Sequence, residues 1–421
     1  MATPADPAAT NAAAAVTQPV ERLWQIDAMR GLMLVLMTLT HLPTRFSSPA
    51  GQPFGFVSAA EGFVLLSGFM AGMVYARRQQ REGDASMRSA FFKRVVKIYV
   101  CQVALLVFLF SFVALLGVAA QHDAISNLLS YYRQHPMSAL AGGLLLVYKP
   151  PLLDILPMYI VFMLASPLVL IHGLQQGWRV ILGLSVALWL GSQFGLGRVL
   201  YEATVRATHL PVPLEAIGAF KILAWQFLWV LGLWMGVSKV NRPEVLPGRF
   251  PAWLVRTSIA VALIGFVWRH AVGQTPFPGN DALNLMFDKW QLAPLRLINL
   301  FALLVLAMHY APWLARRLPR WRLLETLGAA SLPAFCAHLV VALLLLAVAG
   351  EARVDRPWAV DVAMLAFGFA VVIGVALISR AIDRQATQRA EVLTARATRP
   401  KTPPEPDARR SPTSTPHSPQ G

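Results

Sequence analysis

Apolar residues gather in runs about as long as the ~20 residues a helix needs to cross a bilayer core, with short polar stretches between them. Windows of this kind lie at 26–45, 54–77, 92–119, 152–173, 178–197, 219–238, 252–273, 293–314, 328–350 and 358–382. The pattern predicts an all-α fold, a polytopic integral membrane helical bundle with about ten transmembrane helices. One apolar stretch, 140–155 (LAGGLLLVYKPPLLDI), is too short to span and is broken by Pro150 and Pro151, so a re-entrant or interfacial segment is expected there.

Three regions follow. Residues 1–25 form an N-terminal segment without the basic stretch of a cleavable signal peptide, so the first span is expected to remain in the mature chain. Residues 26–383 form the membrane domain. Residues 384–421, rich in Arg, Pro, Ser and Thr, are expected to be a disordered basic tail.

Composition supports a lipid solvent: 56% of residues are hydrophobic and 14% charged, with a mean hydropathy of +0.53. The net charge of +16 raises nucleic acid as a partner, but the cations cluster in connections, where orientation signals belong. Arg77, Arg78, Arg81, Arg88, Lys93, Arg94 and Lys97 assign the connection between the second and third spans to the cytoplasm. Lys239, Arg242, Arg249 and Arg256, then Arg316, Arg317, Arg320 and Arg322, then the tail, fall on the same side, so both termini are expected to be cytoplasmic. No nucleic-acid partner is expected. Cys101 and Cys336 suggest neither a disulfide framework nor a metal spacing, and His122, His135 and His209 lack ligand spacing, so no metal site is expected.

Ionisable groups inside spans are costly and therefore functional candidates. The first span carries Asp27, Arg30 and His41. Arg30 and His41 are eleven residues apart, which sets both on one helix face roughly 16 Å apart along the axis. His41 would lie about 21 Å above the inner end of its helix and Glu61 about 9 Å below the outer end of the next, which is one level in a ~30 Å core. A His41–Glu61 hydrogen bond is therefore expected; the plainer role for Glu61 is to balance a nearby arginine. Ser58 precedes Glu61 on the same segment. Arg94 and Lys97 serve either topology or an anionic substrate. Arg296 and His338 are further candidates within spans, whereas Trp225–Gln226 fits an interfacial anchor. Gly68/Gly72 and Gly232/Gly236 have the spacing that lets helix backbones approach, and packing is their expected role.

With Arg30 and His41 in place, the sequence resembles the membrane acyltransferase-3 superfamily, and more closely its OpgC family. The resemblance rests on Ile26-Asp27-Ala28-Met29-Arg30-Gly31, Ala60 to Phe69, Leu153-Asp154-Ile155-Leu156-Pro157-Met158-Tyr159, Trp225-Gln226-Phe227 with Gly232, Pro294-Leu295-Arg296, and Leu327-Gly328 through Ser331-Leu332 to Phe335 and His338. It implies a ten-span enzyme of the bacterial inner membrane. Such an enzyme moves an acyl group, succinyl in the best-known case, from cytoplasmic acyl-CoA to hydroxyls of a periplasmic glucan. Acyl-CoA would be a co-substrate rather than a resident cofactor. Arg30 and His41 look like the family's Arg and His pair, with Asp27, Ser58, Asp154, Tyr159, Trp225, Gln226, Arg296, Ser331 and His338 as acceptor-binding or supporting candidates. The wider superfamily often has Arg-x-x-Arg at the third span, whereas this chain has Arg94-Val95-Val96-Lys97; lysine keeps the charge but lacks the bidentate fork.

These residues suggest His41 as general base, oriented by Glu61, with Arg30, Arg94 and Lys97 attracting the acyl donor. An acyl-imidazole intermediate is an open alternative. Another extracytoplasmic glycan as acceptor, or a transporter using Arg30, His41 and Glu61 as an ion route, are the rival functions.

Overall fold

The structure is a computed structural model that describes residues 23–116, 123–209, 211–246 and 248–397, with side chains described for all of these but 123–124 and 390–397. Among the described residues there are helices and no strands. All ten predicted segments are helical, but some boundaries differ for local reasons.

Helix α1 (Trp24–His41) stops short of the predicted 45, because Pro43 follows it and disfavours helix at the residue before. The next helix starts at Ala59 rather than 54. Its start is set by a capping box in which the backbone N–H of Ser58 donates to Glu61 Oε2 at 3.1 Å. That helix is nominally continuous over Ala59–Phe108, yet Gly83 sits at φ 80°, ψ 177° and breaks it into α2 (59–82) and α3 (84–108). The rings of Tyr75 and Phe91 stack with centroids 3.6 Å apart, whereas a straight helix would separate the two residues by about 24 Å. The break is therefore a hairpin.

Further along come α4 (Pro136–Leu144), α5 (Ile155–Gln175), α6 (Trp178–Gln193), α7 (Leu196–Thr208), α8 (Ile222–Asn241), α9 (Ala252–Val272), α10 (Pro294–Arg317), α11 (Arg322–Ala329), α12 (Ser331–Ala349) and α13 (Trp358–Ala397). The short α4 and the irregular stretch after it occupy the segment expected not to span. Helices α6 and α7 meet at 81°, with Gly195 in the left-handed region at the bend. Seven helices are long and apolar enough to cross a membrane, or eight if that bent pair is one span. The hairpin of α2 and α3 counts once among the seven, and α1 is not among them because Asp27, Arg30 and His41 dilute its apolar residues.

Helix α13 continues to Ala397, past residue 384 where the tail was expected to begin. The sequence RQATQRAEVLTARA from Arg384 favours helix, and the first proline after it is Pro400. Residues 1–22 and 398–421, including most of the expected N-terminal segment and tail, lie outside the described residues, as does His122.

The glycine pairs join α2 to α8. A Cβ on Gly68 or Gly72 would lie 2.5 or 2.3 Å from the carbonyl oxygen of Trp229 or Leu233; one on Gly232 or Gly236 would lie 2.3 or 2.0 Å from that of Leu65 or Phe69. A second close approach joins α1 to α11, where a Cβ on Gly31 would meet Leu324 O at 2.0 Å and one on Gly328 would meet Asp27 O at 1.8 Å.

The connections sort to two ends. Gln80 donates to Asn241 at 2.8 Å, and the Arg320 guanidinium lies 5.3 Å from the Trp24 ring. At the opposite end Arg269 donates to Gln52 at 3.0 Å, Arg356 to the Pro43 carbonyl at 2.6 Å, and Arg45 pairs with Asp361 at 2.8 Å. Many large apolar side chains, among them Leu115, Val180, Phe194 and Trp253, remain exposed. Water would drive such a surface to aggregate; lipid satisfies it.

Candidate active site

Two cavities flank a thin wall inside the bundle. The larger, about 630 Å³, is lined by His41, Ser58, Tyr131, Lys149, Asp154 and Lys289, among others. The smaller, about 350 Å³, is lined by Arg30, Phe63, Arg94, Tyr159 and Ser331, among others. Ile155 and Phe335 line both. Phe335 stands edge-on to His338 with centroids 4.7 Å apart and stacks on Phe63 at 6.1 Å.

His41 comes from the last turn of α1 and meets His338 from α12. Its Nδ1 lies 2.9 Å from His338 Nε2, with the rings nearly parallel at 13°. With the proton on His41 Nδ1 donated to His338, Nε2 of His41 keeps its lone pair and has no protein partner among the described residues. His338 is fully buried, so the ring that orients His41 is itself fixed by packing.

This pairing corrects the expectation for Glu61. Its carboxylate accepts from the Ser58 N–H and hydroxyl and from Nε of Arg296, and makes no bond to His41. Glu61 and Arg296 are almost wholly buried, and Arg296 also donates to the Phe287 carbonyl at 3.4 Å. A carboxylate one turn into α2 caps its own helix and finds the arginine of α10 before it can reach α1. Sequence spacing showed the shared level but not the competing cation.

On the other side of the wall, Arg30 donates to the Ser331 hydroxyl, pairs with Asp27 at 3.9 Å and lies 5.9 Å from the Phe63 ring centre. Tyr159 donates to the Phe63 carbonyl at 3.2 Å. Arg94 joins Arg30 in this cavity, but Lys97 is exposed and lines neither cavity. A step of three residues sets Lys97 about 60° around α3 from Arg94, one turn further along, where it clears the edge of the cavity.

The remaining candidates brace the site. Trp225 Nε1 donates to the Trp290 carbonyl at 3.0 Å, fixing the connection that carries Lys289. Gln226 donates to the Ser185 carbonyl at 2.7 Å and ties α8 to α6. Asp154 accepts from the Ala219 N–H at 3.1 Å.

Lys149, Lys221 and Lys289 were missed as site residues. All three line the larger cavity. Lys149 and Lys289 lie in connections expected outside, and Lys221 at the outer start of the sixth predicted span, where cations run against the usual charge bias, and that was the available signal. Burial lowers the Lys149 ammonium to about 8, with Asp154 opposing and Lys221 reinforcing the shift. Burial also lowers Lys289, and raises the Asp154 carboxyl against its bond from Ala219.

An all-helical, multi-pass membrane protein with a histidine pair between two internal cavities is the class that this geometry defines. The OpgC protein family matches residues 22–384, and the chain belongs to that family. No curated protein matches the chain, and no solved structure does.

Proposed function

We propose that the protein is a membrane O-acyltransferase that moves an acyl group, succinyl in our reading, from cytoplasmic acyl-CoA to hydroxyls of a periplasmic glucan. Family membership supports this reading. The single observation that carries it is the histidine pair at the wall between a cavity with two arginines and a larger cavity with room for a sugar.

In this scheme the basic connections mark the cytoplasmic face of the inner membrane, and the smaller cavity receives the donor. Arg30 and Arg94 attract the anionic donor, with Arg30 held in place by Ser331 and Asp27. A glucan hydroxyl in the larger cavity approaches His41. Nε2 takes the hydroxyl proton as the oxygen bonds to the thioester carbonyl carbon; collapse of the adduct breaks the C–S bond and the thiolate leaves. His41 then returns the proton to the thiolate, giving free coenzyme A and the glucan ester. His338 holds the reactive tautomer throughout.

The test is direct. Purified protein in liposomes is given succinyl-CoA and glucan, and the glucan is weighed by mass spectrometry. A gain of one succinyl mass per ester, with release of free thiol, is expected. Glucan that stays unmodified while a label crosses the membrane would replace the reading with transport.

A further inference from the structure

The larger cavity holds more positive charge than the transfer step uses. Lys149, Lys221 and Lys289 all line it, and none has a carboxylate within ion-pair distance among the described residues. Asp154 acts on Lys149, and Glu61 ahead of Asp154 on Lys289, but Glu61 is already bonded to Arg296 and Ser58, and Asp154 Oδ2 accepts from the Ala219 N–H. Glu215, the other acid of the lining, is exposed. Lys149 is buried and Lys289 lies with its Nζ 4.6 Å from the Trp290 ring centre. Such ammonium groups gain most from an anion that arrives with the substrate, because the apolar walls weaken water's competition.

Lys289 is also within electrostatic reach of His41. In an extended four-carbon dicarboxylic acyl group, three C–C bonds carry the far carboxylate about 4 Å from the carbonyl carbon. We propose that Lys289 and Lys149 form a subsite that holds the far carboxylate of a dicarboxylic acyl group while its carbonyl stands at His41. This rests on the acyltransferase reading and assigns the selectivity for the acyl chain to named residues. A neutral acyl group of the same length leaves both ammonium groups without a counter-charge, so it is disfavoured by a missing partner rather than by size.

The structure supplies a mechanical basis for the subsite as well. Trp225 and the Lys221 backbone N–H both donate to the Trp290 carbonyl, so the residue after Lys289 is clamped from α8. The Lys149 N–H donates to the Ala216 carbonyl at 3.0 Å, clamping the other lysine's connection.

An anionic group on the acceptor could meet the same lysines, so the acceptor in the test is a neutral glucan, leaving the acyl chain as the variable anion. Purified full-length protein is assayed with succinyl-CoA and butyryl-CoA, and kcat/KM for ester formation is expressed as a ratio within each variant, which cancels differences in folded fraction. The wild type is expected to favour succinyl at least tenfold. Lys289→Gln and Lys149→Gln are each expected to reduce that ratio at least tenfold, and Lys289→Arg to restore most of it. An unchanged ratio in both glutamine variants, or equal use of the two donors by the wild type, would overturn the subsite. Absence of ester from either donor with the wild type would instead remove the acyltransferase reading on which it stands.

Discussion

His41 Nδ1 and His338 Nε2 lie 2.9 Å apart, so two helices far separated in sequence, α1 and α12, share one proton at the wall between the cavities. The carboxylate expected to orient His41 is replaced by a neutral imidazole. A neutral partner fixes the tautomer but adds no negative charge to stabilise the imidazolium that forms during proton transfer.

Removing the orienting ring should therefore impair turnover without abolishing donor binding. His338→Ala is expected to lower kcat for ester formation about 10²-fold, in the range that general-base catalysis contributes. The double variant His41→Ala/His338→Ala should be no slower than His41→Ala alone, because the pair acts as one unit. Additive losses would show that His338 acts elsewhere.

The Glu61–Arg296 pair is fully buried, and breaking it leaves an uncompensated charge. Glu61→Gln and Arg296→Met are each expected to lower stability by about 3–5 kcal/mol, and the double variant by less than the sum. Thermal melting of the detergent-solubilised protein checks this through a double-mutant cycle.

At the α2–α8 contact, backbone meets backbone, so no side chain can yield. Gly72→Leu and Gly232→Val should each prevent the two helices from closing, with loss of the monodisperse peak in size-exclusion chromatography. Gly183→Ala, at a position open to its surroundings, should elute like the wild type.

The selectivity for a charged acyl chain should depend on pH. Lys149 is held down to about 8 by burial, with Asp154 on its own connection opposing the shift and Lys221 before α8 reinforcing it. Below pH 8 the ammonium is charged and holds the carboxylate; as pH rises through 8 it becomes neutral and the succinyl-to-butyryl ratio should fall. Lys149→Arg, whose guanidinium stays charged, should keep the ratio level across the same interval.

Much of the fold was legible in the sequence because the cost of unpaired backbone in lipid forces apolar runs into helices. Arg30, His41 and the two G-x-x-x-G pairs stood out for the same reason, as polar or small residues against an apolar background. What the sequence could not show were pairings decided by three-dimensional competition. Glu61 had two partners within reach by level, and only the reach of the Arg296 side chain from α10 settles which one it takes. His338 lies almost three hundred residues from His41, with no period linking them. The lysines of the larger cavity sit in irregular connections, where helical geometry gives no depth. Helix α13 runs to Ala397, past the expected tail start at 384, because the residues from Arg384 have good helix propensity and the prolines of the tail begin only at Pro400.

The role proposed for His41, activation of the acceptor where the two cavities meet, is open to a single substitution. In purified His41→Ala protein, ester formation from succinyl-CoA and donor binding are measured on the same sample. Glucan succinylation is expected to fall to background while succinyl-CoA still binds with wild-type affinity. Undiminished transfer by that variant would exclude His41 as the base.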